Sequence, residues 1–239
     1  MYRMDGRVAF SDINERGYLS IVGILDYLQD CCTFHSEDVG YPVERLKEEH
    51  RGWFVTSWQI KVHDLPKHGE RIAVLTMPTQ VRGMIGERYF LIQDAEGTHT
   101  YVEVKPLWVF MDTAQYKPTR APEGMAEAFC LDEAPEGTWG PRKIALGENA
   151  KEVYTFTVAN WQLDTNHHMN NKRYVEQAVT LLPPDFRIGG MRIEYKKQAT
   201  LGDVVHVKQV ELENGIQVWL CDDADDLYFI MDFYRNDEE

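Results

Sequence analysis

The chain has 239 residues, 44% hydrophobic and 12% aromatic, enough apolar matter for a core and for one large domain or two small ones. Its 25 basic residues against 39 acidic ones give a net charge of -14, which excludes nonspecific binding to nucleic acid or to an anionic membrane, since both need a basic face. No apolar signal-peptide core follows Met1, no stretch approaches the roughly 18–20 apolar residues that span a bilayer, and Cys31, Cys32, Cys130 and Cys221 form no Cys-x-x-Cys, so the chain reads as reduced, soluble and cytoplasmic.

The first predicted element is a helix over about Leu19–Val39, with apolar residues at Ile21, Ile24, Leu25 and Leu28. Cys31 and Cys32 lie on it as core or lining residues. Strands follow at Trp53–Val62, Arg71–Thr76, Glu87–Ile92 and Tyr101–Phe110, rich in β-branched and aromatic residues. Turn chemistry at Lys67-His68-Gly69-Glu70 and Ala95-Glu96-Gly97 separates them. From Thr113 to Ala150 the prolines and glycines predict a crossing linker with a short helix near Met125–Phe129.

The pattern then restarts. A strand is expected at Val153–Val158, a helix from about Asn171 to Leu182 that Pro183-Pro184 ends, and strands at Met191–Lys197, Val204–Leu212, Gln217–Cys221 and Leu227–Tyr234. Ile60–Glu70 echoes Ile193–Asp203 at a constant offset. With the repeated order of helix and antiparallel strands, this predicts a duplicated α+β unit whose helix buries its apolar stripe on one sheet face. The expected boundaries are 1–115 for the first unit, 116–150 for the linker and 151–239 for the second.

Between the second unit's first strand and its helix stands Asp164-Thr165-Asn166-His167-His168-Met169-Asn170-Asn171. A carboxylate can orient an imidazole or act as a base itself. An amide can hold water, and the free N–H groups of the following helix favour developing negative charge. These parts suit attack of water on a carbonyl. The same residues singly are ordinary cap and turn residues, and a metal held by Asp164, His167 and His168 is a further alternative. No Gly-x-Ser-x-Gly elbow, Gly-x-Gly-x-x-Gly loop or P-loop occurs.

The run, continued by Lys172-Arg173-Tyr174, resembles the Asp-x-Asn-x-His-Val-Asn-Asn-Lys/Arg-Tyr motif of plant-type acyl-acyl-carrier-protein thioesterases, in the bacterial branch of that family. Leu28-Gln29-Asp30 with His35, Trp53–Pro66, Gly69-Glu70 and Trp108–Asp112 are similar to first-half segments of the same family. The resemblance covers about residues 5–235. It implies a double hotdog, with acyl-chain binding in the first unit and catalysis in the second. It implies hydrolysis of fatty acyl thioesters of acyl carrier protein, no metal or redox cofactor, and a phosphopantetheine arm carried by the substrate. Catalytic roles fall on Asp164, Asn166 and His168, with Gln198 where the family carries a glutamate and Ala199 where it carries a cysteine. Glutamine can orient water but cannot take its proton, so either base duty rests on Asp164 or His168, or the enzyme is slow.

Further expectations are an apolar acyl tunnel, and guidance of the acidic carrier protein by Lys172-Arg173, Arg187, Arg192 and Lys196-Lys197. The acidic runs Asp222–Asp226 and Asp237–Glu239 are expected to be solvated. An acyl-CoA thioesterase of the same fold, a noncatalytic acyl-binding or dehydratase-like hotdog protein, and a homodimer of the whole chain stay open alternatives.

Overall fold

The structure, a computed structural model, describes residues 1–236. Asp237–Glu239 lies outside the described residues. The chain divides into two compact units, Met1–Trp139 and Gly140–Glu239. No helix among the described residues is long and apolar enough to cross a membrane.

In the first unit, β1 (Tyr2–Arg7), β2 (Arg51–Val62), β3 (Arg71–Arg82), β4 (Ile85–Asp94) and β5 (Thr100–Asp112) form an antiparallel sheet in the order β1-β3-β4-β5-β2. Its long helix, α1 (Ile21–Asp38), begins at Ser20, whose hydroxyl accepts the N–H of Gly23 at 3.0 Å. The stripe Ile21, Ile24, Leu25, Leu28, Cys31, Cys32 and His35 recurs at helical spacing, and all of it is buried. Ile72, Val74, Phe90, Ile92, Val102 and Val104 of the sheet have no accessible surface. Gly23 allows the helix close to the preceding loop; a Cβ there would stand 2.8 Å from the carbonyl oxygen of Asp12.

The second unit repeats the plan with β7 (Lys151–Thr157), α4 (Asn171–Val179), β8 (Ile188–Tyr195), β9 (Val204–Leu212), β10 (Gly215–Cys221) and β11 (Leu227–Arg235). Its antiparallel order, β7-β9-β10-β11-β8, is that of the first unit, strand for strand. The chain is thus an α+β double hotdog, two helix-and-sheet units of one design.

Three details differ from the sequence expectation. α4 stops at Val179 and continues only as turns, three residues short of Leu182. The ring of Pro183 would clash with the carbonyl four residues back, which is that of Val179, so the helix closes there. A short helix, α2 (Val43–Glu48), was not anticipated, nor was the edge strand β1. Residues after Thr113 are also more built than a linker. β6 (Lys117–Pro118) pairs with β5, and α3 (Met125–Ala128) brings Met125 and Phe129 into a cluster with Leu46 and Phe110. Trp139 takes the Lys61 ammonium over its ring at 4.4 Å. Further on, Glu194 accepts the N–H of Ile144, Gln217 accepts that of Gly147, and Arg192 donates to the carbonyls of Pro141 and Lys143.

The four cysteines are free thiols, and burial pushes that of Cys31 up to about 12 and that of Cys221 to about 11. His35 is buried, 6% exposed, and stacks on Tyr2 at 4.7 Å. Desolvation, then the Arg88 charge, lowers its pKa to about 4. The unfolded chain therefore binds the proton first as pH falls. Stability contributed by neutral His35 is complete above its unfolded pKa of about 6.5 and drains away toward pH 4, by up to about 3 kcal/mol. Urea unfolding between pH 7 and 4 should show this slope in wild type and a shallower one in His35→Gln. Equal slopes would remove His35 as its source.

Candidate active site

Asp164, Asn166 and His168 sit in one tight loop between a 3-10 turn at Asn160–Gln162 and α4. The Asp164 Oδ1 accepts the backbone N–H of Asn166 at 2.7 Å and of His168 at 3.2 Å. The Asp164 N–H in turn donates to the His168 carbonyl at 2.8 Å. Gln162, 3% exposed, locks the loop's entry by accepting the Ala159 N–H through Oε1 and the Asn170 N–H through its carbonyl. The Asn170 side chain accepts the Lys172 N–H at 3.1 Å, so one helix donor the sequence left for an oxyanion is already taken.

The first unit contains the same loop. Asn14 stands where Asp164 stands. Its Oδ1 accepts the N–H of Arg16 at 3.0 Å and of Tyr18 at 3.1 Å, and its N–H donates to the Tyr18 carbonyl at 2.8 Å. The bridge Ile13–Leu19 matches Leu163–Met169, and Tyr18–Lys67 matches His168–Thr200. The comparison separates fold from chemistry. A neutral amide oxygen suffices for the turn, so the charge of Asp164 is surplus to the fold. Among the described residues its second oxygen, Oδ2, makes no hydrogen bond or ion pair.

The same comparison singles out the two histidines. Tyr18 of the first loop becomes His168. Gly17, at φ 80°, becomes His167, held at φ 62° in the left-handed region that a side chain enters at a cost of about 1–2 kcal/mol. His167 is exposed and His168 half-buried. Among the described residues Asp164, His167 and His168 do not gather into a metal-holding group.

Gln198 lies on the segment that docks against this loop. Ala199 accepts the Met169 N–H at 2.8 Å, and Thr200 bridges to His168. The Gln198 side chain is exposed, and no hydrogen bond joins it to Asp164, Asn166 or His168. The structure therefore gathers three of the four expected residues in one turn and sets the fourth beside it.

Tyr174 was quoted in the motif without a task. It is 2% exposed, stacks on Phe229 at 5.6 Å, and its hydroxyl accepts the Ala199 N–H at 2.8 Å. Burial raises its pKa, so it stays a phenol. It ties α4 to the segment that carries Gln198. Trp161, 64% exposed, holds the Arg173 guanidinium 4.9 Å from its ring, and Arg173 is paired to Glu176.

The other cations are partly committed. Lys196 pairs with Glu194 and Lys197 with Asp222. Arg192 faces Asp232 besides its two carbonyl partners. Arg187 is exposed and has no ion pair among the described residues. Residues 223–226 are exposed, as expected, whereas Asp222 is half-buried, and Asp222, Asp223 and Asp225 bind Lys197, His206 and Lys208.

Residues 1–129 match the acyl-ACP thioesterase N-terminal domain, and residues 147–226 match the C-terminal domain of the same family. The chain is 22% identical over 214 residues to a chloroplastic acyl-[acyl-carrier-protein] hydrolase of Cuphea viscosissima, covering 83% of this chain and 52% of that protein. It is 24% identical over 204 residues to the chloroplastic dodecanoyl-[acyl-carrier-protein] hydrolase of Cinnamomum camphora, covering 78% of this chain and 53% of that one. The chain spans about half the length of the curated relatives it matches. Among solved structures, an acyl-ACP thioesterase from Bacteroides thetaiotaomicron superposes with a TM-score of 0.88 at 22% identity, over 98% of this chain and 97% of that one. The 12:0-ACP thioesterase of Umbellularia californica gives 0.85 at 18% identity, over 98% and 96%. With both halves matched in order, this chain belongs to the acyl-ACP thioesterase family.

Proposed function

We propose that this chain hydrolyses the thioester between a fatty acyl group and acyl carrier protein, releasing free fatty acid for lipid metabolism. The observation that carries the reading is the charged residue at Asp164, in a loop whose twin folds with Asn14. In this reading Oδ1 anchors the turn and Oδ2 takes a proton from water. The water oxygen bonds to the thioester carbon, the C–S bond breaks, and a proton passes to the departing phosphopantetheine sulfur. His168 steers that proton, and the Asn166 amide holds the water or the developing oxyanion. Hydrolysis of a thioester changes no oxidation state, so the scheme calls for no redox group, and the phosphopantetheine arrives with the substrate. The acyl chain would enter the first unit, and the free thiols agree with a cytoplasmic setting.

Carrier protein is favoured over CoA by family membership, and the acidic carrier would meet Arg187 more readily than the cations already paired. The test is fatty acid release from length-matched acyl-carrier and acyl-CoA substrates. Faster release from the carrier is expected. Faster release from CoA would move the reading to an acyl-CoA thioesterase, and release from neither would end it.

Gln198 bears on the same scheme. An exposed amide can orient water but not deprotonate it, so Gln198→Ala should lower kcat less than about tenfold, well below the 10²–10⁴-fold of a positioned base. A loss beyond a hundredfold would give Gln198 a larger share than the scheme allows.

A further inference from the structure

Trp161 is a large apolar side chain left in water beside the catalytic loop. It lies in the 3-10 turn Asn160–Gln162, three positions before Asp164, which keeps the two Cα atoms within about 11 Å of each other. It is 64% exposed. Thr165, His167, Gln198 and Thr200, also exposed around the loop, are polar. Leu201, which follows the residue bridged to His168, is apolar like Trp161 and 59% exposed.

The ring is held in place. The Arg173 guanidinium stands 4.9 Å from its centroid, and one Nη of Arg173 donates to both Glu176 oxygens, at 2.7 and 2.8 Å. A guanidinium over an indole face restricts the ring's orientation. Because Glu176 also spends the charge, this corner presents an apolar face rather than a free cation.

The twin loop shows that the fold does not require this arrangement. Ser11 stands as far before Asn14 as Trp161 stands before Asp164, and the first turn closes with it. Gly23 occupies the place of Arg173 on α1, where the first unit has no room even for a Cβ. Phe10, the exposed ring of the first turn, lies one position earlier and meets His68 edge-on at 5.7 Å.

A thioester brought to Asp164 trails its arm away through both amide groups of pantetheine to a gem-dimethyl pantoyl unit, and then to the phosphate. The amides suit the polar groups of the loop, whereas the gem-dimethyl group needs an apolar surface. The phosphate and an acidic carrier surface need free cations, and here Arg173 is paired and Lys172 is engaged as well. We propose that Trp161 binds the pantoyl unit of the substrate's pantetheine arm, its ring packed on the gem-dimethyl group, with Arg173 as the residue that positions the ring. The inference rests on the thioesterase reading of the site and adds to it the contact that holds the arm.

The test compares non-hydrolysable alkyl thioethers of one chain length carried on N-acetylcysteamine, pantetheine, CoA and acyl carrier protein. N-acetylcysteamine ends before the pantoyl unit. Binding to wild type, Trp161→Ser and Trp161→Phe is measured by calorimetry, and turnover of the matching thioesters is followed in parallel. Trp161→Ser installs the side chain of the twin turn, so its melting temperature should stay near that of wild type; should it fall, Trp161→Gln supplies a second polar side chain. Trp161→Ser should lose roughly tenfold in affinity for the pantetheine, CoA and carrier ligands alike, with N-acetylcysteamine binding unchanged. Trp161→Phe should keep most of the affinity. An equal loss on every ligand, no loss on any, or a loss confined to the carrier ligand would overturn the assignment. If wild type releases no fatty acid while the loss still follows the pantoyl unit, the thioesterase reading fails and the arm contact stands. Turnover in wild type without that loss rejects the contact alone.

Discussion

Asp164→Asn is expected to lower kcat on acyl-carrier substrate by about 10²–10⁴-fold while the thermal midpoint stays close to that of wild type. Both halves of the expectation come from the twin loop. An asparagine oxygen at the same place, Asn14, already accepts two backbone N–H groups at 3.0 and 3.1 Å, so the substituted side chain can still close the turn. What the substitution removes is Oδ2 as the oxygen proposed to take the proton from water. Asp164→Ala would be a poorer probe, because it also deletes the acceptor of two N–H groups and loosens the loop. A fall in rate with a matching fall in melting temperature would point to damage rather than lost chemistry.

The largest stability effect around the site is expected at Tyr174. Tyr174→Ala removes a buried ring stacked on Phe229 and leaves a cavity, which costs about 3–5 kcal/mol. It also orphans the Ala199 N–H. For a chain of this size that is a drop of roughly 6–20 °C in Tm. Tyr174→Phe keeps the ring and loses only the hydroxyl acceptor, so about 1–3 kcal/mol is expected. Because Ala199 also holds Met169 through its carbonyl, the Phe variant should lose kcat as well as stability. Differential scanning calorimetry with initial rates on the same samples separates the two. A Phe variant with wild-type stability and rate would remove Tyr174 as the brace.

Much of this was legible in the sequence, for reasons that differ by element. α1 announced itself because seven buried positions recur at helical spacing over eighteen residues. β9 was expected at Val204–Leu212 and lies there, between a turn at Gly202 and the Glu213-Asn214 turn. α2 was invisible because six residues with one buried side chain, Leu46, make no period. β1 was missed because every second residue faces solvent and three of the six are charged. The echo between Ile60–Glu70 and Ile193–Asp203 pointed to duplication, and the shared strand order gives it substance.

The site was legible where its residues are consecutive. Asp164, Asn166 and His168 fall within five positions, so local turn chemistry brings them together. Contacts across the fold left no such trace. The bond from Ala199 to Tyr174 joins residues far apart in the chain. Arg88 in a strand reads as an outward charge until its register with Phe90 and Ile92 shows the face it shares. The basic residues read as a docking set turned out to be largely paired within their own unit, which only the positions of Glu194, Asp222 and Asp232 could reveal.

The central claim is that one of two matching loops carries a charge for chemistry and the other an amide for folding. The most direct measurement is fatty acid release from acyl-carrier substrate by wild type, Asp164→Asn and Asn14→Asp, at matched folded concentration. The account predicts that Asp164→Asn alone loses at least about a hundredfold in rate and that Asn14→Asp stays near wild type. Wild-type turnover in folded Asp164→Asn, or an equal loss in both variants, would contradict it.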